Sequence, residues 1–426
     1  MSEHGAGRTV AFRSQGHANI TGGHHKTLEL TRDTEITRRA TCVVGVGSEH
    51  DDLALIQLRG RVQVTLACSG VTDSFTATMS PYFLGDDSLV FRTGPGLRGR
   101  TVAFDASKGA SGLDTQLLAA MAATDAMVEV EITEITEPGR PPAPGALFVV
   151  ALPIGDDDDL SPRALRVLQR VDLVLAEDTR RFRNLADRLG VELAPSTSYH
   201  DHNEAERAPD VLARLVAGER LALVSDAGTP LVSDPGHVLV REVVAAGIGV
   251  VPVPGASAVL SALTAAGLPS DRFTFVGFLP RKSGERRALL TALADGGGAI
   301  VAYESAQRVA ATLRDLAGPF GEWPACLGRE LTKVFEELLY GTVEELAEAV
   351  ADRELKGEVV LVLAPPPTRR SSGEEAGPSA ETEAVLRALA AAGVAPSALA
   401  KALHQASVLP RRQAYDWVLG RGSMGG

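Results

Sequence analysis

The chain is poor in aromatic residues, in cysteine and in positive charge, and each shortage narrows what it can be. Aromatics make up 4% of 426 residues, so a core must rest on Ala, Val and Leu, which the 45% hydrophobic fraction can supply. Three cysteines, Cys42, Cys68 and Cys326, are widely spaced and odd in number. That pattern argues against a disulfide framework and for a reducing compartment. No basic segment leads into an apolar run after Met1, so no secretory signal is expected and the location is expected to be cytoplasmic. Long hydrophobic runs are also lacking. Val243 to Pro269 carries no charged residue, but Pro252, Pro254, Pro269 and several glycines would break a spanning helix. A soluble protein with no membrane partner is expected.

The net charge is −12, which is awkward for a nucleic-acid reader, because neutralising phosphates needs Lys and Arg. Such a role would rest on local clusters. These are Arg180, Arg181 and Arg183; Arg281, Lys282, Arg286 and Arg287; and Arg411 with Arg412. Solvated surface charge is the simpler reading of any one of them.

Two composition breaks divide the chain. Residues 137–145 (EPGRPPAPG) and 365–380 (PPPTRRSSGEEAGPSA) are rich in Pro, Gly and polar residues and read as linkers. They leave a front domain over 1–136, a middle domain over 146–364 and a tail over 381–421. The front domain reads as β-rich, with strand-like segments at Lys26–Leu30, Thr41–Val46, Arg61–Cys68 and Phe75–Met79 and a helix near Leu113–Ala123. Val10–Thr31 is weakly echoed by Val64–Ser80, which suggests an internal duplication. Gly94-Pro95-Gly96-Leu97-Arg98-Gly99 matches a dinucleotide-binding glycine pattern, but the strand-like Arg100–Phe104 follows it instead of a helix. We read it as a hairpin turn.

The middle domain alternates strands and helices, the pattern of parallel α/β layers. Strands are expected at Leu147–Leu152, Asp172–Ala176, Leu221–Ser225, Gly249–Pro252, Phe273–Gly277, Ala299–Tyr303 and Glu358–Leu363. Ser161 with Pro162 should open a helix, and Thr342 with Glu345 should form a capping box. The tail reads as short helices in a small helix-turn-helix-like unit.

Four strand-to-loop junctions concentrate Gly, Pro and small polar residues: Ala151–Gly155, Ser225–Pro230, Pro252–Ala258 and Tyr303–Ser305. In an open α/β sheet, ligands bind outside the carboxyl ends of the strands, and glycine lets backbone amides approach them. One such junction can be a tight turn alone; four in one domain favour a binding site.

These stretches carry a resemblance. Pro153-Ile154-Gly155, Ala176–Arg180 (AEDTR), His200–Glu204 (HDHNE), Ser225–Pro230 (SDAGTP) and Asp234-Pro235-Gly236 come first. Ala266–Arg272 (AGLPSDR), Gly277–Lys282 (GFLPRK), Tyr303-Glu304-Ser305 with Arg308, Arg329–Lys333 (RELTK) and Lys356-Gly357-Glu358 follow. Together they make residues 146–364 resemble the tetrapyrrole methylase family, and within it the group of ribosomal RNA small-subunit methyltransferases I. The resemblance implies an α/β protein with two subdomains, cofactor in the interdomain cleft, a β-rich domain in front and a small helical tail behind. It implies S-adenosylmethionine as cofactor and 2′-O-methylation of a cytidine in the decoding region of small-subunit (16S) ribosomal RNA. The partner would be that RNA or the 30S subunit, and the assembly a homodimer.

By the same resemblance Pro153, Gly155, Asp226, Ala227, Gly228, Thr229, Ala256, Ser257, Ala258, Tyr303 and Glu304 should line the cofactor site. This sequence departs from the family in its first loop, where Asp156 to Asp159 are four acids; they are expected to face solvent. A sulfonium is a good leaving group, so catalysis needs chiefly in-line positioning and a base for a weakly acidic hydroxyl. Candidate bases are Glu177, Asp178, His200, Asp201 and His202; the structural reading stands ahead for each, and the carboxylate pair at a strand end can instead cap a helix or pair with Arg180. Arg180, Arg181, Arg281, Lys282, Arg286 and Arg287 are candidate RNA contacts.

The front domain resembles an uncharacterised family of archaeal type through Gly16-His17-Ala18-Asn19, His25–Glu29 and Cys42–Val46. A metal site from His17, His25 and Cys42 lacks tight ligand spacing, so none is expected, and a β-rich binding module is the preferred reading. Two other functions stay open: methylation of a tetrapyrrole or protein side chain, and a non-catalytic ribosome-binding role.

Overall fold

The computed structural model describes residues 7–95, 101–137, 143–294, 297–365, 380–405, 414, 415 and 418. The front part is one sheet of β1 (Thr9–Gln15), β2 (Thr27–Thr31), β3 (Val43–Gly45), β4 (Arg61–Cys68), β5 (Val71–Met79), β6 (Ser88–Arg92), β7 (Thr101–Phe104) and β8 (Met127–Glu134). Their order is β1-β8-β4-β5-β7-β6-β2-β3. Strict alternation in β4 and β8 sends Val62, Val64, Leu66, Val128, Val130 and Ile132 to one face, where the helix Thr115–Met121 covers them.

Two expectations fail here. Segments Val10–Thr31 and Val64–Ser80 are not copies of one motif: β4 and β5 form a hairpin, while β1 and β2 lie far apart in the sheet. The hairpin reading of the glycine-rich segment fails on its flanking strands: β6 and β7 run parallel, whereas a hairpin joins antiparallel strands, and residues 96–100 of that segment lie outside the described residues.

The middle part holds two sheets. The first, β9 (Ala146–Val150), β10 (Leu173–Ala176), β11 (Ser196–Ser198), β12 (Arg220–Val224) and β13 (Gly249–Val253), is parallel throughout in the order β11-β10-β12-β9-β13. Helices on both faces explain why its inner strands are continuous apolar runs. The second, β14 (Phe273–Phe278), β15 (Ala299–Ser305), β16 (Pro324–Arg329), β17 (Glu337–Thr342) and β18 (Glu358–Leu363), has the order β14-β15-β18-β16-β17. Only β14 and β15 are parallel there, which corrects the expectation of parallel layers. The short link from β16 to β17 fits a hairpin and is too short for a helical crossover. Ser161 caps the helix Pro162–Arg170, and Thr342 with Glu345 forms the capping box of Val343–Ala349.

The front sheet docks on the amino ends of the first middle sheet. Arg220, at the start of β12, is 1% exposed. Its guanidinium donates to the carbonyls of Ile56 (2.6 Å), Pro81 (3.0 Å) and Ser80 (3.3 Å), all from the front part. Asp172 accepts the Arg220 amide at 2.7 Å and pairs with Arg59 at 2.9 Å. Tyr82 reaches Gly249 so closely that a Cβ there would collide with its hydroxyl.

The tail shows helices Ala380–Ala391 and Pro396–Gln405, joined by a small core of Leu386, Leu399, Ala400, Leu403 and Ala414. The linker residues 138–142 and 366–379, and the pair Arg411 and Arg412, lie outside the described residues. No helix among the described residues is long and apolar enough to cross a membrane.

Candidate active site

After β10 the chain continues toward β11, and after β12 it turns the other way toward β13, so β10 and β12 flank a topological switch point. Crevices form at such points, outside the carboxyl ends of the strands. Here the two loops hold each other. The amide of Asp178 donates to Asp226 Oδ1 (3.1 Å) and the amide of Asp226 donates to Glu177 Oε2 (3.2 Å). The loop after β9 joins them through a two-way backbone pairing of Leu152 and Gly228 at 2.9 and 3.0 Å. Gly228 has φ +73°, a left-handed conformation that any side chain would strain.

A cleft of about 410 Å³ opens between these loops and the second middle sheet. Its volume lies in the range of small-molecule sites. One wall is Asp226, Ala227, Gly228 and Thr229; the other includes Tyr303, Glu358 and Val360. Ser257 and Ala258 also line it, and Ala256 supports it by accepting a hydrogen bond from Thr229 Oγ1 at 3.0 Å. Pro153 faces a smaller adjoining pocket with Arg181, Arg188 and Asp226. Gly155 lies outside both, pressed against Thr332 and Lys333 so tightly that a Cβ could not fit. The Asp156 amide donates to Thr332 Oγ1 at 3.1 Å, so this first loop ties the two sheets together at the cleft's rim.

The cleft is acidic. Glu177, Asp226, Asp234 and Glu358 line it, with Arg181 as the one basic side chain among the described residues. Arg181 pairs with Asp226 at 3.3 Å, and Lys333 pairs with Glu358 at 3.0 Å. Among the described residues neither Glu177 nor Asp234 forms an ion pair, although Arg181 partly offsets the charge of Glu177. Burial pushes the Asp234 carboxyl up to about 6, Ser225 opposes this by a hydrogen bond, and the neighbouring Glu177, Asp226 and Asp201 add to the rise. Glu177 is raised by the same causes, burial first, although the Asp226 amide partly opposes it. Tyr303 is pushed up to about 12 by burial and by Asp234 and Glu358, so its hydroxyl keeps its proton. Strain marks the same loop: Leu231 and Ser233, just before Asp234, have φ of +74° and +70°.

Several sequence candidates are placed elsewhere. Asp178 caps the helix Thr179–Leu189 and binds Arg180 at 3.0 Å, which holds its carboxyl at about 2, too weak a base for a hydroxyl. Glu304 stands at the wall, but its carboxylate is fully buried and faces Arg308 (2.7 Å) and Thr312 (2.8 Å), anchoring the helix Ala306–Phe320. His200, Asp201 and His202 lie outside the cleft lining. His200 bonds Asn203, and its ring stacks edge-on to His202 with centroids 5.9 Å apart. Glu204 is a buried cap, accepting the amides of Val238 and Leu239.

The basic candidates divide the same way. Arg286 is buried and paired to Asp315 at 2.7 Å, so it cannot reach RNA. Arg287 shares that aspartate, Lys282 pairs with Glu285, and Arg180 with Asp178. Arg281 is exposed and makes no ion pair among the described residues. Of the four loop acids, Asp157 does not simply face solvent: it pairs with Arg188 at 2.7 Å, while Asp156, Asp158 and Asp159 are exposed. In the front part His17 faces Glu35, His25 bonds Ser111 and Cys42 bonds Glu29, and no group of three metal-ligating side chains forms among the described residues.

Asp234 and Phe278 line the cleft without having been assigned to it from the sequence. Both lie in stretches that carry the family resemblance, Asp234-Pro235-Gly236 and Gly277–Lys282, and those stretches were the available signal.

Comparisons with known proteins place the chain among relatives. The family described as tetrapyrrole (corrin/porphyrin) methylases matches residues 146–347, and a domain of unknown function matches residues 12–135. The ribosomal RNA small subunit methyltransferase I of Xylella fastidiosa is 46% identical over 275 residues, covering 64% of this chain and 98% of that protein. Its namesake in Mesorhizobium japonicum is 50% identical over 236 residues, covering 55% and 79%. A solved uroporphyrin-III C-methyl transferase from Thermus thermophilus, complexed with S-adenyl homocysteine, is 21% identical with a TM-score of 0.36, covering 52% of this chain and 97% of that one.

Proposed function

We propose a reaction from one premise: the chain belongs to the ribosomal RNA small subunit methyltransferase I family. It transfers a methyl group from S-adenosylmethionine to small-subunit ribosomal RNA, and the acceptor is the 2′-hydroxyl of a cytidine ribose in the decoding region. The observation that carries this is the acidic cleft at the switch point, where two carboxylates that form no ion pair among the described residues face small-residue loops.

S-adenosylmethionine, when bound, supplies an electrophilic methyl group on a positively charged sulfur. An excess of carboxylate suits that charge, and the loops Asp226–Thr229 and Ala256–Ala258 offer close backbone approach to the nucleoside part. Asp234 is the base of this reading. With a pKa of about 6 it is ionised at neutral pH and still basic enough to accept a proton from a positioned hydroxyl. Glu177 adds negative charge beside it, and Tyr303, which keeps its proton, is a hydrogen-bond donor on the facing wall. Positioning of the oxygen against the methyl group supplies the rest. The same reading includes a homodimer and a cytoplasmic location, where the ribosomal substrate is assembled.

The test is methyl transfer from labelled S-adenosylmethionine to small subunits from cells lacking this protein, with the modified nucleoside identified by mass. The reading expects 2′-O-methylcytidine. A base-methylated nucleoside would overturn the ribose assignment. Label in a tetrapyrrole or a protein, with none in RNA, would overturn the substrate.

A further inference from the structure

β14 does not run as a regular strand. In a regular strand Phe275 and Phe278 would point to opposite faces, being an odd number of residues apart. The pairing of β14 with β15 instead shifts register between Phe275 and Phe278, and Gly277 sits inside the irregularity with φ +67°. This bulge turns Phe278 to the side of Phe275. Both rings then contact Tyr303, with centroids 4.9 Å away for Phe275 and 5.5 Å for Phe278. Bulges beside active sites commonly re-aim one side chain in this way.

Phe278 lines the cleft, yet 61% of it is exposed. Its backbone is fixed, because the Leu279 amide donates to the Tyr303 carbonyl at 3.2 Å and Arg308 donates to the Leu279 carbonyl at 2.9 Å. Three residues on, Arg281 offers an exposed guanidinium with no ion pair among the described residues. A fixed aromatic face, open at the mouth of the cleft and followed by free positive charge, is the combination that holds a base and its phosphate.

We infer that Phe278 is a stacking platform for an unpaired nucleobase of the substrate, so that the enzyme takes its target nucleotide out of a helix or from a single strand. This rests on the reading of the cleft as an RNA methylation site. A base in a duplex has both faces covered by its neighbours, so a ring platform selects single-stranded or flipped nucleotides. Phe278 acts as a positioning residue, and Gly277 matters because only glycine takes the bulge conformation without strain.

The experiment measures binding of a short, labelled, single-stranded oligoribonucleotide to the whole chain by anisotropy, beside the same strand in a duplex, with S-adenosylmethionine affinity measured in parallel. Phe278→Ala and Phe278→Leu should each weaken the single strand about tenfold, from loss of stacking. Phe278→Tyr should stay within about twofold of the parent, as the π-face is kept. Duplex binding and cofactor affinity should not move. Equal loss of cofactor affinity would make the ring part of the cofactor wall and overturn the proposal. So would single-strand binding that Leu preserves, since bulk alone would then suffice. Ring-dependent single-strand binding in a protein that leaves small subunits unmethylated would support the platform while removing the assigned reaction.

Discussion

The two ends of the first middle sheet handle charge in opposite ways. At the amino ends, Arg220 is buried with its donors matched by three carbonyls of the front sheet, and Asp172 is matched by Arg59 and a backbone amide. At the carboxyl ends, Glu177 and Asp234 are held among other acids and form no ion pair among the described residues. Each guanidinium nitrogen has a carbonyl partner, which ties the front sheet to this end, although burial and the nearby Arg59 lower the Arg220 pKa to about 9. The same sheet tolerates like charges at its other end, which costs stability and is kept where a ligand can compensate. The two family matches fit that division, since the front domain meets the methylase at the end away from the cleft.

Breaking the satisfied end should have the largest effect on folding. Arg220→Ala leaves the carbonyls of Ile56, Ser80 and Pro81 buried without donors, and we expect a loss of about 3–5 kcal/mol in denaturant unfolding. Cofactor affinity of the folded fraction should be unchanged, because the guanidinium lies at the opposite edge of the sheet from the cleft.

Removing charge from the strained end should do the reverse. The folded-state pKa of Asp234, about 6, lies above its ordinary 3.8, so the folded protein holds that proton more tightly than the unfolded chain. Its contribution to stability is complete below about pH 4 and is lost as pH rises through about 6. Asp234→Asn should therefore match the parent near pH 4 and exceed it at pH 8 by on the order of 1 kcal/mol, a figure reduced for partial exposure. Methyl transfer should fall about 100-fold or more with the base gone. The parent's rate should rise with pH through about 6 and then level. A variant both less stable at pH 8 and fully active would refute this assignment.

The smallest effect belongs to the first loop. Asp157 and Arg188 form a pair in which the arginine is 56% exposed, so Asp157→Ala should change stability by no more than about 0.5 kcal/mol. Methyl transfer should be unaltered, which sharpens the contrast between a rim acid and a cleft acid.

Much of the methylase architecture is legible in the sequence because its signals are local. Apolar runs such as Ala146–Val150 and Glu358–Leu363, the Ser161-Pro162 cap and the Thr342–Glu345 capping box each specify their element directly. The glycine-rich junctions likewise mark the cleft, since close loops need residues without bulk. What escaped depends on pairing over long distances. β11 is Ser-Thr-Ser, which becomes a strand only by lying beside β10, and the antiparallel run of the second sheet has no local mark. Glu304 and Arg286 resemble site residues in the sequence and are internal anchors in the fold, because helix packing supplies each a partner that sequence distance conceals. Arg220 opening an apolar strand was the one visible hint that a second domain docks there.

The central claim is that the carboxyl-end cleft binds S-adenosylmethionine and the amino end only holds the fold together. Calorimetric titration of S-adenosylmethionine into the whole chain, the Asp226→Asn variant and the Asp157→Ala variant tests it most directly. The account predicts one equivalent per chain for the parent and for Asp157→Ala, and an affinity at least about tenfold weaker for Asp226→Asn, through loss of charge at the switch point. No binding by the parent, or binding indifferent to Asp226, would contradict it.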